Sequence, residues 1–104
     1  MTDEVREQTP GMTPEQIAEK IDPNAHLHPR MRVIGAQGKQ LGKVETLDHD
    51  TDSGRLLSLV VRHGMFSNKL TTVSATRVKW VNSDSVILDI SPTAFNQLPR
   101  LAAN

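Results

Sequence analysis

Five clusters of residues in this 104-residue chain have types and spacings that could do chemistry. Asp48-His49-Asp50-Thr51-Asp52-Ser53-Gly54 spaces its carboxylates like a calcium loop. An EF-hand loop needs glycine at its sixth position and a bidentate glutamate at its twelfth, and here those positions are Ser53 and Leu59. Asp and Ser build turns on their own account, so the segment reads as an acidic hairpin tip. His26 and His28 stand two residues apart, and in an extended segment both rings would point to one side, as two imidazoles of a zinc site would. A third ligand, His49 or His63, is not brought near by anything in the sequence, so no metal site is assigned. Gly38-Lys39 lacks the Ser or Thr that follows the lysine of a phosphate-binding loop, and Gln37 stands where a dinucleotide fingerprint needs glycine. His63 and Ser67 could act as base and nucleophile, but no third group orients them and no G-x-S-x-G elbow exists. Trp80 and Phe66, near Arg77 and Lys79, could stack on nucleic-acid bases.

Composition weighs against most of these readings. Twelve basic residues balance twelve acidic ones, so no overall field draws the chain onto a polyanion. The absence of cysteine excludes disulfides, thiol catalysis and thiolate metal sites. The longest apolar run, Leu59 to Val61, cannot span a bilayer, so no membrane insertion is expected. The start Met1-Thr2-Asp3-Glu4 does not resemble a secretion signal, and a soluble cytoplasmic protein is expected. No catalytic residue, cofactor or metal is assigned, and the chain is not expected to be an enzyme.

The elements follow from local patterns. Residues 1–30 carry six acidic and three basic groups and few large apolar side chains, and read as an arm outside the core. Within the arm Thr13, Pro14 and Gln16 spell a helix start with a capping box, and Met12 and Ile17 form a hydrophobic staple. This predicts a helix over about 13–21, stopped by Asp22-Pro23. So short a helix must dock on the chain's own core, a second copy or a partner. Residues 31–90 then alternate as strands: Met31 to Ile34, Leu41 to Leu47, Arg55 to Arg62, Leu70 to Val73, Arg77 to Val81, and a last one through Val86 and Leu88. The expected core is Val44, Leu57, Leu59, Val61, Val73, Val78, Val86 and Leu88. Residues 91–104 repeat the helix-start device, with Ser91-Pro92 between Ile90 and Phe95, and form a short C-terminal helix and tail.

In that order, Val33, Gly38, Leu41-Gly42-Lys43-Val44, the turn Thr51-Asp52-Ser53-Gly54, and Leu57-Ser58-Leu59-Val60-Val61 resemble the PRC-barrel family. Val73, Val78, Asp84-Ser85-Val86-Ile87-Leu88 and Leu98-Pro99 continue the resemblance across residues 31–100. Ser74 departs from it, standing where many members have proline, and the acidic arm has no counterpart. The resemblance implies a mainly β fold: a small antiparallel barrel of about six strands flanked by the two short helices. It implies protein binding and brings no catalytic residues with it. The expected function is a non-catalytic interaction module, self-associating as a dimer or meeting a protein partner, with Leu56, Val60, Phe66 and Trp80 as interface candidates. The alternative, by analogy with a family member in ribosome maturation, is an accessory factor of a ribonucleoprotein, although nucleic-acid contact is not expected from a neutral chain.

Overall fold

A computed structural model describes residues 11–66 and 68–99; the expectations for residues 1–10, Ser67 and the tail from residue 100 lie outside the described residues. Six strands form one sheet: β1 (Arg32–Ile34), β2 (Gln40–His49), β3 (Leu56–His63), β4 (Lys69–Ser74), β5 (Val78–Val81) and β6 (Ser85–Leu88). Helices Pro14–Ala18 and Pro92–Asn96 flank it.

Strand order is β4-β3-β2-β1-β6-β5. The expected antiparallel barrel is therefore corrected in two respects: the sheet is mixed, because β1 and β6 run parallel, and it does not close. The connection after β4 explains both. Three tight hairpin-type links reverse the chain from β1 to β4, but the 3-10 turn Ala75–Arg77 then carries it from one edge strand to the other. β4 and β5 consequently run in the same sense within the sheet, and β6, returning from β5, lies parallel to β1. Only a strongly curled sheet lets three residues join its opposite edges. Ser74 caps that turn, its Oγ accepting from the Thr76 amide at 3.3 Å, where proline could not do so.

Bulges supply the curl. Leu41 and Glu45 on β2, Leu57 on β3 and Lys79 on β5 are each skipped in the pairing register, and an extra residue bends and twists its strand. Gly42 sits inside the β2 bend, where a Cβ would run into the Arg62 carbonyl oxygen and lie 2.9 Å from Val61 Cγ1. Gly42→Ala is therefore expected to cost about 1–3 kcal/mol by overpacking, read as a lower denaturation midpoint. Gly38 makes the complementary point: its φ of +81° suits glycine in the β1–β2 turn, where space itself is open.

Inside the curl, Val33, Val44, Leu59, Val61, Val73, Val78, Val81, Val86 and Leu88 are buried together with Met12, Met31, Leu56, Ile90 and Phe95. The expected core holds except at Leu57, which is only half-buried. The acidic arm is also corrected, over its described part. Met12 is buried, and Ile17, Ile21 and Leu27 pack on the core, so residues 11–30 dock on the chain's own sheet. The helix is shorter than 13–21 but starts as expected: Thr13 Oγ1 accepts from the Gln16 amide at 3.2 Å and Gln16 Oε1 from the Thr13 amide at 2.8 Å.

Candidate protein-interaction surface

Two of the clusters that promised chemistry, the Asp48–Gly54 turn and His63, are engaged in local structure. The Asp50 carboxylate accepts the Ser53 hydroxyl at 2.7 Å and the Asp52 amide at 3.3 Å, folding the hairpin tip around itself. Those bonds, the Ser53 hydroxyl first, hold the Asp50 carboxyl below its ordinary range. Asp48 accepts from Ser58 across the β2–β3 pair. The rings of His26 and His28 lie 5.9 Å apart, and among the described residues no group of three His, Asp or Glu side chains gathers to hold a metal. His63 turns inward: its Nε2 shares a 2.7 Å hydrogen bond with the buried Thr71 hydroxyl, and its ring meets Phe95 edge-on at 4.8 Å. That geometry makes it a core residue, and the Ser67 of the imagined pair lies outside the described residues.

Arg62 and Glu45 form an ion pair on the outer face, Nε donating to Oε1 at 2.7 Å. The hydrogen bond from Arg62, then its charge, holds the Glu45 carboxyl below its ordinary value. A depressed carboxylate contributes stability above its unfolded value and loses it as pH falls through the folded one. Because both partners are exposed, Glu45→Gln is expected to lower the melting temperature only slightly at neutral pH. The difference should close under acid, which parallel melting curves across pH would show.

The four interface candidates separate. Leu56 and Val60 are corrected: they are 2% and 6% exposed, so this chain has already covered them. Leu56 is carried into the core by the bulge at the adjacent Leu57. Val60 lies in the sheet's second-outermost strand between Thr46 and Thr72, flanked on both sides. Trp80 is 39% exposed, but it lies on β5, at the opposite end of the sheet order from β3 and β4. Phe66 is 81% exposed at the tip of the β3–β4 loop, beside Met65 at 90%. Gly64, with a φ of +97°, turns the chain out of β3 just beyond the anchored His63, so the following two side chains project into solvent. Met65 was readable in the sequence as half of a consecutive apolar pair in a turn. Two adjacent large apolar side chains held outward are what a docking surface requires.

Two concavities accompany the tip. One, of about 330 Å³, lies at its base between β2 and β3, lined by Gln40, Lys43, Arg62, His63 and Gly64 among others. The other, of about 300 Å³, is an apolar groove between the N-terminal helix and the sheet, lined by Pro14, Ile17, Ala18, Ile21, Leu27 and Leu56 with His49 and Gly54 at its edge. The helix start is legible in local residues but this groove is not, because it exists only where residues 11–30 fold back on the sheet. Among the described residues no helix is long and apolar enough to cross a membrane.

Comparison with curated proteins returns no match. Comparison with family models matches the PRC-barrel domain over residues 30–97, from just before β1 to just after the C-terminal helix. The matched segment is the curled sheet and its closing helix, and it leaves the docked residues 11–29 as an addition. By that match, over about two thirds of its length, this chain belongs to the PRC-barrel domain family.

Proposed function

We propose that this chain is a non-catalytic protein-interaction module of the cytoplasm that associates with itself and with protein partners. The observation that carries the reading is the Met65-Phe66 tip, 90% and 81% exposed on a loop whose base is anchored in the core. A soluble domain gains nothing in stability from two such side chains in water, whereas at a contact they supply an anchor. Two of the polar clusters support the same reading, since Asp50 is engaged in its own turn and His63 in a core hydrogen bond.

The test is capture from the source lysate with the full chain as bait, after nuclease treatment and in high salt, beside an M65S/F66S double variant. Proteins retained by the wild type and lost by the variant would support the module. Apolar contact barely responds to salt, whereas contact through phosphates weakens steeply with it. Material that disappears with nuclease or salt would overturn the reading in favour of a ribonucleoprotein factor.

A further inference from the structure

The two edges of the sheet are treated differently. β5 is covered by the chain itself: Lys20 O accepts from the Val81 amide, the Asp22 amide donates to Val81 O, and Lys20 Nζ donates to Val78 O, each at 2.8 Å. β4 pairs with β3 on one side, and among the described residues no backbone group bonds to its other side. β4 has no proline or glycine, and its one charge, Lys69, stands at its first residue, so it lacks the devices that keep edge strands from pairing. An antiparallel pairing of two β4 strands about a two-fold axis is self-complementary. It sets Lys69 against Ser74 of the partner subunit and keeps the two lysines at opposite ends.

The tip and the apolar groove obey the same geometry. They lie at opposite ends of the eight-residue β3, roughly 23 Å apart, so one copy cannot place its own tip in its own groove. Across an antiparallel β4 pair, the loop preceding one β4 adjoins the end of the other. That end is the groove end, because Ser74 pairs with Ser58 and Leu56 follows two residues on. β2 takes one side of Leu56 through His49, so Met12, which bridges Leu56, takes the side on which β4 runs. The groove-lining segment from Pro14 onward thus lies in line with β4, where an incoming Met65-Phe66 tip arrives.

We infer that a second copy of this chain adds antiparallel to the β4 edge, which no described residue pairs, and that each copy seats its Met65-Phe66 tip in the apolar groove of the other. This rests on the protein-interaction reading above and specifies how self-association occurs. Exchange of both tips closes the assembly at two. Two short edges and two tips make an interface at the low end of the usual size range, so the dimer should dissociate on dilution.

The test uses sedimentation of the full chain over a dilution series, and cross-linking. The wild type is expected to pass from dimer to monomer, and Phe66→Asp to weaken dimerisation about tenfold or more while leaving the melting temperature of the dilute monomer unchanged. Because the chain has no cysteine, an A18C/F66C double variant treated with a mild thiol oxidant should give a covalent dimer, and neither single variant should. A wild type that stays monomeric, oligomers that grow beyond two, or F66C cross-linking alone as well as the double variant would each overturn the inference. A monomeric wild type that still captures lysate proteins through its tip would overturn this dimer and leave the interaction module standing.

Discussion

Phe95→Ala is expected to lower the folding free energy by about 3–5 kcal/mol. The ring is 2% exposed, the largest side chain so deeply buried, and it anchors the C-terminal helix in the core cluster. Its edge meets the His63 imidazole, which holds the Thr71 hydroxyl. Truncation would leave a void against a polar pair that cannot collapse into it without breaking its hydrogen bond, so relaxation should recover little. It would also remove the staple between Phe95 and Ile90 that orients the five-residue helix, which has little stability of its own. In a domain whose total stability is about 5–15 kcal/mol, the melting temperature should fall by roughly 12 °C or more. Phe95→Leu should restore most of the loss. A urea titration placing Phe95→Ala within about 1 kcal/mol of wild type would show that the C-terminal helix does not seal the core.

That dependence on Phe95 was partly visible in the sequence. Ser91-Pro92 with apolar residues on either side writes a stapled helix start, and Thr13-Pro14 with Gln16 writes another, because a cap is decided by four or five neighbouring residues. Strand positions were legible for the same reason, through alternation. The partners of the strands were not. Nothing local in Val33 or Val86 states that their strands run parallel; that follows from the chain rounding the corner at Ala75–Arg77 without reversing. Nor does the low apolar content of residues 11–30 reveal that Met12, Ile17 and Ile21 suffice to dock them. At the candidate surface, Phe66 could be read as an exposed anchor because it sits in a turn. Leu56 could not be placed, because strict alternation assigns faces only while the register is unbroken, and Val60 could not, because alternation does not report that Thr46 and Thr72 flank it on both sides.

The register break at Leu57 leads to a paired outcome that alternation alone would reverse. Counting by twos from Leu59 and Val61 puts Leu57 inside and Leu56 outside. β2 instead pairs Asp48 with Ser58 and His49 with Leu56, so Leu57 is the extra residue of a bulge and the faces exchange beyond it. Leu56 is 2% exposed and joins the core with Met12, whose amide and carbonyl both bond to it at 2.8 Å, while Leu57 is half-buried under Gly11. Leu56→Ala should therefore cost about 2–5 kcal/mol, as Leu59→Ala should, and Leu57→Ala only about 1 kcal/mol. Leu56→Ala has a second consequence that Leu59→Ala lacks. Leu56 is also a wall of the apolar groove, so its loss should weaken dimerisation even in the fraction that remains folded. Denaturation of the three variants, with sedimentation of the folded ones, tests both statements. Equal losses at Leu56 and Leu57 would show that no bulge exchanges the faces, and the groove would then need a different wall.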